Sequence, residues 1–212
     1  KKVWVALDPL LPVVEAAVDQ GIDLIITHHP LLFRSIKSID LESTIGKVIA
    51  QAVEHNIALY AAHTNLDSAH HGINTRLADM MGLSGVEPLM PADVDSRLSP
   101  DDAASSATGL GRIGWLDPPP TVGKLVEPIK RSLDLTSLRI AGDTNLEVRR
   151  AAVCSGAGSS LMEAFLSSDA QVYISGDMRY HDARAVEEAG RALIDVGHFA
   201  SERIVIDSLV EQ

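Results

Sequence analysis

Asp23-Leu24-Ile25-Ile26-Thr27-His28-His29-Pro30 runs from four apolar or β-branched residues straight into two adjacent histidines. An apolar run without helical period, closed by a proline, reads as a buried strand of a parallel sheet. The histidines then stand at its carboxyl end, which in open α/β sheets faces the ligand crevice. Neighbouring residues on an extended chain point to opposite sides, so a vicinal pair of imidazoles suits two different metal ions better than one.

On either side of this strand the chain alternates strand and helix. Val3 to Leu7 reads as a first buried strand, Asp8-Pro9 and Pro12 as a cap and helix start, and 12–20 as a short helix closed by Gly21. Ile45, Val48, Ile49, Ala52 and Val53 recur at spacings of three and four, which predicts an amphipathic helix over 43–55. Ile57 to Ala62 is a third strand, ending in His63-Thr64-Asn65-Leu66-Asp67, with a further helix over 73–81. From Val86 to about Pro120, Pro, Asp, Ser and Ala dominate, and a partly mobile loop between lobes is expected there. Gly109-Leu110-Gly111-Arg112-Ile113-Gly114 matches a dinucleotide fingerprint as a string, but it precedes no clear helix and is not read as one.

The last third repeats the first. Lys1-Lys2-Val3-Trp4-Val5-Ala6 is matched by Arg149-Arg150-Ala151-Ala152-Val153-Cys154, and Leu24 to Thr27 by Gln171-Val172-Tyr173-Ile174-Ser175. Helices over 43–55 and 181–189 follow, then third strands at Ile57 to Ala62 and Ala192 to Val196. These strands end in His63 with Asp67 four residues on, and in His198 with Glu202 four residues on. A histidine and a carboxylate at i and i+4 share one face of a helical turn and can reach a common ion. The expected architecture is therefore α/β. A first lobe spans 1–85, a loop-rich connection 86–140, and a second lobe 141–212. The lobes are related by a pseudo-twofold, with a metal site in the crevice between them.

The ligand set selected by this pattern is His28, His29, Asp67, His198 and Glu202. Mixed imidazole and carboxylate donors suit Zn, Mn, Fe, Co or Ni, without choosing among them. Five ligands leave open positions on two divalent ions, as in a catalytic site, and paired ions lower the pKa of a shared water, so hydrolysis is the expected chemistry. His63 reads as a group orienting Asp67 or touching substrate. Asp177 and His181, after the strand that mirrors the one carrying His28, are candidate substrate contacts, and Asp177 reads equally as a helix cap. Gly156-Ala157-Gly158-Ser159-Ser160 reads as a tight turn or an anion-facing one. His55, His70 and His71 are expected to be solvent-exposed, and Cys154 to be a buried apolar residue.

Composition narrows the partners. A net charge of -11 over 212 residues excludes a nucleic-acid surface, which needs clustered Lys and Arg. A single cysteine permits no internal disulfide, and no apolar run of membrane-spanning length is present. The expectation is a cytoplasmic protein acting on a small molecule.

Leu24 to Phe33, Ala62 to Asp67, Gly109 to Gly114, Ser175-Gly176-Asp177 with His181, and Gly197 to Glu202 together resemble the GTP cyclohydrolase I type 2 family, also called NIF-three-like. The resemblance covers nearly the whole chain in order. It implies two related α/β lobes, a dinuclear metal site on the same five residues, and a toroidal homohexamer. Its further implication is GTP ring opening, with Arg34, Lys37 and Arg179 the basic residues near the motifs. Other hydrolysis, by a phosphoesterase or amidase on the same ions, and a metal-binding regulatory or scaffold role without turnover are the alternatives. The family's usual amino-terminal segment is read as missing before Lys1.

Overall fold

The computed structural model describes residues 1–92 and 108–211. The chain divides into two compact units, 1–65 with 205–212, and 66–204. Both are α/β, each built on its own sheet.

The first unit has three parallel strands, β1 (Val3–Ala6), β2 (Leu24–Thr27) and β3 (Ala58–Ala61), in that order. The helices α1 (Leu11–Gln20) and α2 (Thr44–Glu54) connect them. Pro12 in the first turn of α1 costs no hydrogen bond, because that N–H has no partner inside the helix. Gly21 closes α1 in the left-handed conformation (φ 60°), its N–H reaching the Val18 carbonyl while Ile22 N–H reaches Ala17. The cap at the head of α1 is Leu10, which makes no side-chain cap, and not Asp8. Ser43 caps α2 by accepting the Gly46 N–H at 3.0 Å. Val14, Ala17, Ile22, Ile25, Val48 and Ile57 form the core.

The second unit carries a mixed six-stranded sheet in the order β4 (Ser84–Pro91), β5 (Gly109–Trp115), β7 (Arg150–Ala157), β8 (Val172–Gly176), β9 (Ala192–Asp195), β6 (Arg139–Ala141). β7, β8 and β9 are parallel, whereas β4, β5 and β6 extend the two edges antiparallel. The helices are α3 (Thr64–Ser68), whose first residues belong to the other unit, α4 (Ile73–Met80), α5 (Val122–Leu133), α6 (Met162–Ser167), α7 (Tyr180–Glu188) and α8 (His198–Glu202). A last helix, α9 (Ile204–Val210), follows. Phe165 and Tyr173 stack with centroids 5.1 Å apart in a core shared with Ile113, Leu161, Val186 and Leu193.

The strand–helix repeat read from the sequence is present in both units: two β-α-β steps of parallel strands, then a short helix carrying a carboxylate. The 86–120 stretch differs from the loop expected there. Its two ends are strands that form an antiparallel pair, β4 and β5, and the GLGRIG string lies wholly inside β5 and leads into no helix. The expected loop over 93–107 falls outside the described residues. No helix among the described residues is long and apolar enough to cross a membrane.

Candidate metal centre

In the first unit β2 delivers His28 and His29, and the turn after β3 delivers His63. The three rings cluster, with centroids 5.2 Å apart for His28–His29, 5.2 Å for His28–His63 and 5.7 Å for His29–His63. One ring nitrogen from each lies within 4.8 Å of the others, close enough to serve a metal ion. His28 is fully buried, and its Nδ1–H donates to the Ala62 carbonyl at 2.8 Å. His29 Nδ1–H donates to Asp8 Oδ1, also at 2.8 Å. Both rings are thereby held in the tautomer whose Nε2 carries the lone pair, the arrangement by which carbonyls and carboxylates prepare metal-binding histidines. The Asn65 side chain turns the chain at His63 by accepting its backbone N–H at 2.9 Å, and Phe33 stands edge-on to the ring at 6.2 Å.

In the second unit the same device recurs on α8. His198 Nδ1–H donates to Asp177 Oδ2 at 2.9 Å, and its Nε2 lies 2.9 Å from Glu202 Oε2. The i, i+4 pair therefore does share one helical face. The carboxylate is buried at 5% exposure and rests against Gly156, whose φ is 66°. A Cβ at that glycine would lie 2.2 Å from Glu202 Oε1 and 3.3 Å from His198 Nε2, so only glycine admits this approach. Ser201 fixes α8 to the end of β7 by accepting the Gly156 N–H at 2.9 Å.

Asp67 approaches the end of the same strand. Asn74, buried, donates from Nδ2 to the Asp67 carbonyl at 3.0 Å and accepts the Ser155 N–H at 2.8 Å. Burial pushes the Cys154 thiol up to about 12, and the nearby carboxylates of Asp67 and Glu202 add to the rise. Asp67, His198 and Glu202 thus gather around one strand end of the second unit. His181 is exposed on the first turn of α7 with its ring against Tyr180, 5.4 Å between centroids. His70 and His71 are exposed and pair with each other at 3.2 Å.

A family model, DUF34/NIF3 (NGG1p interacting factor 3), matches residues 1–212. The chain belongs to the DUF34/NIF3 family. It is 34% identical over 211 residues to a GTP cyclohydrolase 1 type 2 homolog of Clostridium perfringens, covering 100% of this chain and 77% of that one. A homolog of the same name from Streptomyces coelicolor is 35% identical over 206 residues, 95% of this chain and 69% of that one. Among solved structures, the hypothetical protein SA1388 of Staphylococcus aureus matches with a TM-score of 0.83 at 28% identity, covering 99% of this chain and 79% of that one. Reduced HcgD from Methanocaldococcus jannaschii matches with a TM-score of 0.81 at 30% identity, covering 100% and 77%.

The family resemblance seen in the motifs is thus established, as is the α/β fold. Asn74 is a residue that the sequence did not nominate, while Asp8 was read only as a helix cap and Gly156 only as part of a turn, neither as a group that shapes the site. The His28-His29 doublet was a signal for the ligands but not for what holds them, because each holding partner comes from a distant point in the chain.

Proposed function

We propose that this chain is a metal-dependent hydrolase with two divalent ions, held by His28, His29, Asp67, His198 and Glu202. The observation that carries the reading is the tethering of Nδ1 on His28, His29 and His198, by a carbonyl, Asp8 and Asp177 respectively, which orients each ring as such partners orient metal-binding histidines and, for His198, sets Nε2 beside the Glu202 carboxylate. The donor set fits the ions: neutral imidazoles beside buried carboxylate suit Zn, Mn, Fe, Co or Ni, and the carboxylates offset part of the ionic charge. Bound ions would supply Lewis acidity and a water acidified toward neutral pH.

The chain's own residues do the rest. Glu202, buried against Gly156, is a carboxylate whose burial a cation at this strand end would offset. His63 lies within reach of the other two imidazoles and is assigned to orientation or substrate contact. Asp177 is assigned to holding His198, and exposed His181 to contact with a small-molecule substrate. Membership of a family whose relatives are named GTP cyclohydrolase 1 type 2 homologs supports a nucleotide as that substrate. A cytoplasmic homohexamer is part of the same proposal.

Elemental mass spectrometry on protein purified without chelators tests it, with His28→Ala and Glu202→Ala alongside. Near two equivalents per chain, falling in both variants, is expected. Metal-loaded protein is then assayed for formate release from GTP and for turnover of chromogenic phosphate esters and amides. Absence of metal after Zn and Mn are added back would overturn the metal reading. Two equivalents without turnover of any substrate would overturn the hydrolase and leave a metal-binding scaffold.

A further inference from the structure

The second unit holds a cleft of about 310 Å³ where β6, β9 and the start of α7 meet. This volume lies at the lower end of the range of small-molecule sites. Ile140, Met178 and Leu193 supply apolar lining, and Arg139, Arg179 and Tyr180 its polar and aromatic rim. Tyr180 is 73% exposed, with His181 edge-on to it at 5.4 Å, so most of its ring stands open to an aromatic ligand.

The charges do not cancel. Arg139 donates to Asp195 at 2.5 Å, and this buried carboxylate also accepts the N–H groups of Met178 at 3.3 Å and Gly197 at 3.0 Å. Asp195 is thereby satisfied and neutralises one guanidinium. Arg179 is exposed and forms no ion pair among the described residues. Within the lining one guanidinium, that of Arg179, is thus unbalanced over apolar side chains, with the nearby carboxylate of Asp182 taken up by the Arg179 N–H at 2.9 Å and by Ser159 Oγ at 2.6 Å.

We propose that this cleft is a binding site for a small organic anion with a flat apolar body. The carboxylate or phosphoryl end lies on Arg179, assisted by the remaining N–H groups of Arg139, which is 76% exposed. The body lies along Ile140 and Leu193 with Tyr180 against its face. The site uses none of the proposed metal ligands, although its Tyr180 touches His181, the substrate contact assigned above.

The test is calorimetric titration of the full, metal-loaded chain with phenylphosphonate, which no phosphoesterase cleaves, and in parallel with inorganic phosphate and neutral benzyl alcohol. Phenylphosphonate is expected to bind more tightly than either control. Its affinity should fall about tenfold or more in Arg179→Gln, the loss of charge-assisted hydrogen bonds, and fall also in Tyr180→Ala; both side chains are exposed, so both variants fold. Affinity surviving dialysis against EDTA places the anion away from bound metal and supports the cleft. Affinity that vanishes with EDTA, or is indifferent to Arg179→Gln, overturns the proposal, as does phosphate binding equally well or no binding of phenylphosphonate.

Discussion

The two units run the same parallel β-α-β-α-β course into a short helix, yet they bury it to different depths. In the first unit β1 and β3 are largely half-buried or exposed, and only β2 buries alternate residues. In the second, β8 and β9 are buried throughout and β7 nearly so, because β5 and β6 cover what would otherwise be bare sheet edges. The donors differ in step with this. The first unit offers three imidazoles, His28 among them fully buried, and the second adds a buried carboxylate, against Gly156. A buried carboxylate is costly without a counter-charge or hydrogen bonds, so Glu202 is the donor whose burial a bound cation would offset most.

If the second unit owes its rigidity to this core, emptying the core should have the largest effect. Phe165 is fully buried against Tyr173, and Phe165→Ala should cost about 3–5 kcal/mol through lost burial and the cavity left behind. Urea unfolding followed by tryptophan fluorescence measures it. Hydrogen exchange sharpens the contrast, with β7 to β9 amides expected to exchange more slowly than those of β1 to β3. A loss below 1 kcal/mol, or equal protection of the two sheets, would break it.

The next effect concerns the device that the units share. Asp8 in one unit and Asp177 in the other each hold a histidine by Nδ1. Asp8→Ala and Asp177→Ala should each weaken metal binding about 10–100-fold, with Asp→Asn variants in between because the amide oxygen still accepts the hydrogen bond. Competition against a chromogenic chelator reads both. An effect of only one substitution would show that one unit alone prepares its histidine. Unchanged affinity in both would remove the argument from tethered imidazoles.

How much of this was legible follows from where each signal comes from. Strands of a parallel sheet read as apolar runs and the helices between them are punctuated by Gly and Pro, so β2, α2, α7 and β9 lie within a residue of their expected bounds. β4 and β5 were hidden by their own chemistry. β4 contains Gly85, Pro88 and a register shift between Ser84 and Glu87, and β5 has glycines at 109, 111 and 114. Those glycines serve contact, since a Cβ at Gly109 would lie 2.4 Å from the Met90 carbonyl and one at Gly111 2.9 Å from Leu161. Such close packing erases the alternation by which a strand is recognised. At the candidate site, the donors announce themselves by residue type and spacing. Asp8 reads locally as a helix cap and Asn74 as an ordinary helix residue, because their work is done across 21 and 81 positions of chain.

The smallest expected effect separates the units by pH. Cys154 occupies the strand position that Ala6 fills in the first unit, so only the second unit carries a titrating group there. Desolvation, helped by Asp67 and Glu202, raises the thiol from 9.0 to about 12 in the folded chain. The unfolded chain gives up this proton near pH 9 while the folded chain keeps it. The neutral thiol's contribution is therefore complete below pH 9 and is lost as pH climbs toward 12, with a slope of at most about 1.4 kcal/mol per pH unit. Urea midpoints at pH 8, 9 and 10 should fall more steeply for the native chain than for Cys154→Ala, and the thiol should stay inert to thiol reagents at pH 8 until the protein unfolds. Parallel pH profiles would mean that Cys154 ionises as freely folded as unfolded. The strand end beside Asp67 and Glu202 would then be open to water, and the claim that the second unit holds Glu202 in a desolvated setting would fall with it.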